Sequence, residues 1–300
     1  MDIHPLYNEL LSRLSKDLKI LPDKSEENAA NTLAALWHKA AGEALSPVAA
    51  EKKTLTALQA EQVEQLKAML EERLSGVPLA HLTGRQHFMG LEYIVEKGLY
   101  IPRIETELLA QTAIDTAKEY FANDANVVLF DLCCGIGTVA LAAAHYCSNI
   151  TAYGSDIYTP AIEAAHINAA HFSLEQRSHF FNADLFAPFE NLPVKGSVKI
   201  IVSAPPYISS SKVKNMAEEI SLHEPSEAFD AGPFGLSIFT TLIATAPEFL
   251  EPGGYLIFEC GLGQGDFLAK RIEQSGRYGP VSKYTDAEGN VRVLKAARVQ

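Results

Sequence analysis

Three aspartates, two glycines and a Ser-Ala-Pro-Pro-Tyr run, spread between positions 131 and 207, are the part of this sequence best suited to chemistry. VVLFDLCCGIGTVALA carries Asp131, Gly135 and Gly137. YGSDI carries Asp156, NADLF carries Asp184, and IIVSAPPYI carries Ser203, Ala204, Pro205, Pro206 and Tyr207. Two glycines in a turn let the backbone approach a ligand closely. A carboxylate 19 residues beyond Gly137 stands where it can take both hydroxyls of a ribose. Cys133, Cys134 and Ile136 share the turn, and Ile157 and Leu185 follow the two later carboxylates. The pattern is shorter than the GxGxxG that a dinucleotide pyrophosphate needs, so a mononucleoside fits better. A plain strand-helix turn with a capping aspartate explains the glycines alone equally well. Four strand ends, each bearing a polar or aromatic group, are better explained by one crevice.

The elements that must position these groups follow from period and turn signals. Residues 127–131 read as a buried strand, 133–137 as a turn and 138–147 as a helix. Strands at 150–155, 178–183 and 198–203 end on Asp156, Asp184 and the SAPPY run. A polar stretch from Ser209 to Gly235 reads as a lid, with His223 a weak site candidate. A helix at 235–250, a strand at 254–260, a helix at 264–275 and a strand at 291–297 complete the chain. Alternating β and α through residues 105–300 predicts a doubly wound α/β sheet. Residues 1–77 show helical apolar stripes (Leu10, Leu11, Leu14, Leu18; Leu33, Leu36, Trp37, Ala40; Val63, Leu66, Leu70, Leu74), and Ser46-Pro47 starts a helix. Residues 78–103 alternate as a β-hairpin with Gly84, Gly90 and Gly98 at its turns. The expected organisation is a helical domain at 1–77, a hairpin linker at 78–103 and a ligand-binding domain at 104–300.

With 47% hydrophobic and 21% charged residues, the 300-residue chain is globular rather than disordered. No apolar run approaches 18 residues, and the opening MDIHPLYNELLSRLSKDLKI lacks a basic-then-apolar signal, so a cytoplasmic location away from membranes is expected. A formal charge of −12 without a basic run argues against nucleic acid as a partner. The four cysteines form no CxxC pair, and His166 and His171 miss the i, i+4 spacing of paired ligands, so no metal is expected.

The order DxxxGxG, acidic strand end, ADLF, then SAPPYI resembles the class I S-adenosylmethionine (SAM) enzymes. More narrowly, GVPLAHLTGRQHFMGLEYIV, IPRIETELL, HEPSEAFDAGPFGLSIF and LEPGGYLIFECGLGQGD are similar to the HemK-type glutamine N(5)-methyltransferases, over nearly all of residues 76–300. The resemblance implies a mostly parallel seven-stranded class I sheet. It also implies a SAM pocket at Asp131, Cys133, Cys134, Gly135, Ile136, Gly137, Asp156, Ile157, Asp184, Leu185 and Ser203, and an N-terminal bundle that helps hold a substrate protein. In that family IPRPETE borders the reaction, so Tyr100 and Glu105 are expected near the ligand, while Arg103 is expected, from its own charge, to pin the hairpin to the ligand-binding domain through a salt bridge.

One motif departs from the family. Its NPPY uses the asparagine carbonyl and the first proline's carbonyl to grip the glutamine amide, and here the tetrapeptide is Ala204, Pro205, Pro206, Tyr207. Losing one such hydrogen bond costs ~1–3 kcal/mol in a desolvated site. Tyr100 and Ile104 add bulk nearby where the family has an aliphatic residue and a proline. A site that keeps SAM and lacks the acceptor grip suits an intramolecular reaction. The α-amine of SAM attacks its own γ-carbon, methylthioadenosine leaves, and azetidine-2-carboxylate forms, as in SAM-cyclising lyases of natural-product pathways. Tyr207 and Tyr100 would face the sulfonium, with Ser203 or a backbone carbonyl accepting from the amine. That reading is placed first, methyl transfer to a protein glutamine such as that of a release factor second, and a non-catalytic SAM-binding module third.

Overall fold

The computed structural model describes residues 3–232 and 235–299, so Pro233 and Phe234 of the GPFGL segment lie outside the described residues. The chain forms two compact units, Met1–Ile104 with Met216–Glu224, and Glu105–Asn215 with Pro225–Gln300.

In the first unit, the leucine stripes become helices Ile3–Asp17, Ala29–Ala40 and Ala60–Leu74. They bury Leu10, Leu14, Leu33, Leu36, Trp37, Leu66 and Leu70 against one another. Each start has a local cause. Asn28 accepts from the Asn31 amide, and Ser46 accepts from Ala49 with Pro47 in the first helical position, where its missing N–H costs nothing. The hairpin is shorter than expected. Leu79–Thr83 is a helical turn with Leu79, Ala80 and Leu82 buried, stopped by Gly84 at φ 76°. Only β1 (Arg85–Phe88) and β2 (Leu91–Ile94) pair, antiparallel.

The stretch expected to be a lid contributes Met216–Glu224 to this first unit, and buried charge is the reason. Glu219 accepts from Arg73 at 2.9 Å and Lys24 at 3.1 Å, while the other arm of Arg73 donates to Glu27 at 2.8 Å. Glu224 accepts from the Ile101 amide at 2.9 Å and from Arg103 at 2.5 Å. Ions removed from water hold their partners tightly because neither tolerates being left alone. Residues 216–224, His223 among them, are therefore an anchored strap, and Arg103, expected to reach the ligand-binding domain, instead pairs with Glu224 and Asp23 of this same unit.

The second unit is a doubly wound seven-stranded sheet in the order β5-β4-β3-β6-β7-β9-β8. Its strands are β3 (Val127–Leu132), β4 (Ile150–Asp156), β5 (Ser178–Asn182), β6 (Val198–Ser203), β7 (Leu250–Glu259), β8 (Ser282–Thr285) and β9 (Val291–Ala297). Strands β5 to β7 run parallel in the sheet, while β9 is antiparallel to both β7 and β8. Every residue of β3 is buried, as expected for a central strand covered on both faces. Phe130 packs on Phe189, 4.2 Å between ring centroids, and Phe186 stacks on Phe249 at 4.8 Å, giving a tight aromatic core. Strand order reverses between β3 and β6, and a ligand crevice opens at the carboxyl edge of such a switch. The short β8 was not expected; its exposed, polar SKYT carries little hydrophobic pattern. Among the described residues no helix is long and apolar enough to cross a membrane.

Candidate active site at the carboxyl edge of the sheet

The turn after β3 is built from left-handed backbone: Cys133 at φ 61°, Gly135 at 54° and Gly137 at 84°. A side chain at Gly137 would meet the Phe180 ring at 2.8 Å, and one at Gly154 would meet it at 2.5 Å, so both glycines are needed for close packing. Gly135 differs. A Cβ there would meet nothing within 4 Å, which leaves open space above the turn for a ligand's approach. Cys133 tolerates a conformation that L-residues avoid, and such strain collects at functional sites. Leu185, at φ 42° just after β5, does the same on the neighbouring edge.

Asp156 ties these edges together. One carboxylate oxygen accepts from the Gly135 amide and the other from the Tyr158 amide, both at 2.9 Å, and the carboxylate stays partly exposed. Burial raises its pKa, opposed by those amides. The Cys134 amide donates to Ser155 at 3.1 Å, Ser155 Oγ donates to the Leu185 carbonyl at 2.7 Å, and Ser203 Oγ donates to the Leu132 carbonyl at 2.7 Å. Four strand ends are thus one hydrogen-bonded rim. Ile157 (60% exposed) and Asp184 stand open on that rim, while Ile136 and Cys134 are buried beneath it.

Asp131 occupies a different place from the other carboxylates. It is 1% exposed and accepts from the Ala140 amide at 3.0 Å, in the first turn of the helix Thr138–Tyr146. Desolvation pushes its pKa up to about 7. The side chain supports the turn from below, so any effect on a ligand passes through the backbone. Cys133 is likewise held as a thiol by desolvation and the neighbouring carboxylates.

Beyond β6, Ala204 is half-buried and Pro205 buried. Tyr207 is held at both ends. Its carbonyl accepts from Gln264 Nε2 at 3.2 Å, and Gln264 Oε1 accepts from the Gly261 amide at 2.9 Å. Its hydroxyl accepts from Arg292 at 3.4 Å and lies against Glu259, and burial raises the phenol pKa. Glu259, 3% exposed, accepts from Thr106 Oγ1 at 2.7 Å. The charge of Glu105 acts on this same group, within the second unit. Tyr100 belongs to the first unit, where the Arg103 guanidinium lies 5.2 Å from its ring centre.

The second unit therefore brings together Ser203, Ala204, Pro205 and Tyr207 at the end of β6 and the turn residues and Asp156 at the ends of β3 and β4. Sequence reading missed Glu259, Arg292, Thr106 and Gln264. A glutamate closing the apolar run YLIF and an arginine inside VRVLKAA are the signals that could have found the first two, because a charge in a buried strand needs a partner.

The methyltransferase small domain family matches residues 105–232. The release factor glutamine methyltransferase of Gloeobacter violaceus is 31% identical over 232 residues, covering 77% of this chain and 78% of that protein. The enzyme of the same name from Thermosynechococcus vestitus is 33% identical over 220 residues, covering 73% and 74%. Among solved structures, human methyltransferase 10 domain containing protein superposes with a TM-score of 0.50 at 11% identity, over 69% of this chain and 88% of that one, a likeness of fold.

Proposed function

This chain belongs to the release factor glutamine methyltransferase family and is a SAM-dependent methyltransferase of class I fold, and from that premise we propose that it methylates a side-chain amide nitrogen of a protein. The observation that carries this reading is a likeness extending over more than three quarters of both chains, which favours the protein-glutamine alternative over ring closure. Bound SAM supplies an electrophilic carbon on a sulfonium. The open face above Gly135 fits a nucleoside, with Asp156 accepting from ribose hydroxyls and Ile157, Asp184 and Leu185 forming the rim around the base. The Pro205 carbonyl accepts from one N–H of the acceptor amide, orienting a weak nucleophile, and orientation is worth several kcal/mol of a barrier. Tyr207, fixed at hydroxyl and carbonyl, holds that segment in place.

Ala204 favours a second reading, cyclisation of SAM to azetidine-2-carboxylate and methylthioadenosine, because the side chain that would grip an amide is absent. One experiment separates the two. Purified protein is incubated with SAM alone and with SAM plus a glutamine-bearing release factor, beside a no-enzyme control. Methyl transfer predicts S-adenosylhomocysteine and a methylated protein only in the second mixture. Enzyme-dependent methylthioadenosine with an amino acid of azetidine-2-carboxylate mass, from SAM alone, overturns methyl transfer and establishes ring closure. SAM binding without either product leaves the third reading, a non-catalytic module.

A further inference from the structure

Tyr207 carries its hydroxyl into a buried cluster of charge. Glu259 ends β7 after four residues of apolar or aromatic type, is 3% exposed, and still bears a carboxyl group. Thr106 Oγ1 donates to it at 2.7 Å, and Arg292 Nη2, 3.6 Å from it, donates to the Tyr207 hydroxyl at 3.4 Å. Arg292 is itself only 8% exposed. Well-packed apolar residues would stabilise such a place as well as or better than buried ions do, so packing alone does not account for the cluster. What the cluster does achieve is directional. A phenylalanine ring could rotate or slide, whereas a phenol bonded at its tip by Arg292, which Glu259 pairs, and at its carbonyl by Gln264, is held in one position. The neighbouring backbone packs closely on this residue. A Cβ at Gly261 would stand 2.9 Å from the ring, and one at Gly235 would stand 2.7 Å from the Tyr207 carbonyl oxygen.

We propose that Glu259 is a positioning residue for the SAM reaction, acting with Thr106 and Arg292 through the Tyr207 hydroxyl to fix residues 204–207. The proposal rests on the reading that this tetrapeptide borders the reacting group, and it is independent of whether methyl transfer or ring closure follows. Its prediction is coupling. Glu259→Gln preserves volume and an acceptor but alters charge and donor pattern, and Tyr207→Phe removes the atom through which Glu259 acts. Each variant should lower turnover of SAM about 10- to 100-fold, the scale of an ångström-level misplacement, with SAM affinity by calorimetry within about 2-fold of the parent. The double variant should be no slower than the slower single, since the second change finds nothing left to disturb. Thr106→Val, a milder change at the far side of the same carboxyl, should reproduce part of the loss and keeps the test available if Glu259→Gln folds poorly. Losses that multiply in the double variant, or that follow SAM affinity and melting temperature, overturn the proposal. If Tyr207→Phe is impaired while Glu259→Gln and Thr106→Val turn over as the parent does, the positioning role fails and the site assignment stands. If all bind SAM and turn over as the parent does, the positioning role fails, and a Tyr207→Ala variant that also turns over as the parent does would sink the site assignment as well.

Discussion

The Gly135 amide donates to Asp156 across 21 positions of sequence, at 2.9 Å, so the turn leaving β3 and the end of β4 form one rigid object. The carboxylate that would take the ribose hydroxyls also sets the curvature of the glycine turn, and ligand grip and turn geometry cannot be changed separately. Asp156→Ala is expected to weaken SAM binding by about 1.5–3 kcal/mol, the worth of hydrogen bonds to a charged group. Calorimetry checks it, and an unchanged Kd rejects the ribose assignment.

Ala204→Asn restores an amide carbonyl beside Pro205. Under methyl transfer the variant should methylate its protein substrate faster, by up to about 1–3 kcal/mol in kcat/KM. A slower variant that still consumes SAM would instead indicate that the alanine clears space for an intramolecular reaction.

Gly261→Ala places a Cβ 2.9 Å from Tyr207 Cδ2 and 3.0 Å from Gln264 Oε1. Overpacking of this kind costs about 1–3 kcal/mol of stability. Turnover is expected to fall further than that loss alone explains, because the ring moves; parallel thermal melts and SAM-turnover assays read the two effects.

Arg73→Met should destabilise the protein by about 3–5 kcal/mol, because Glu27 and Glu219 lose their guanidinium partner within a buried site. Denaturant titration measures this. The double variant Arg73→Met, Glu27→Gln should recover part of the loss.

Asp131 introduces a pH dependence of definite sign. Its folded pKa, about 7, lies above its ordinary value of 3.8, so the folded state keeps a proton that the unfolded state gives up. The stability due to the neutral carboxyl is fully present below pH 3.8 and is lost as the pH rises toward 7, at up to ~1.4 kcal/mol per unit. Asp131→Asn keeps an acceptor for the Ala140 amide and does not titrate. The difference in unfolding free energy between parent and variant should therefore shift in the variant's favour across that window and level off above it. A difference independent of pH would reject the assignment.

Much of the site was legible in the sequence because its causes are local. A strand, a glycine turn and a helix are set by side-chain period and by backbone freedom over some twenty residues, and Asp156 and the APPY run sit at strand ends wherever the sheet closes. The replacement of asparagine by Ala204 is visible before any folding, since it is a matter of which atoms the chain carries. The surroundings of Tyr207 were not legible. Its partners lie 57 residues away at Gln264 and 85 away at Arg292, and Glu259 meets Thr106 across 153. The strap at 216–224 reads locally as a polar loop, yet Glu219 finds Arg73 across 146 residues. Residue types and short-range spacing determined by themselves the alternation of β and α, the glycine turn and the missing amide grip. Tertiary structure alone decided which charges are buried together, because whether a carboxylate is solvated or must be paired depends on the neighbours that folding brings to it, and those neighbours come from anywhere in the chain.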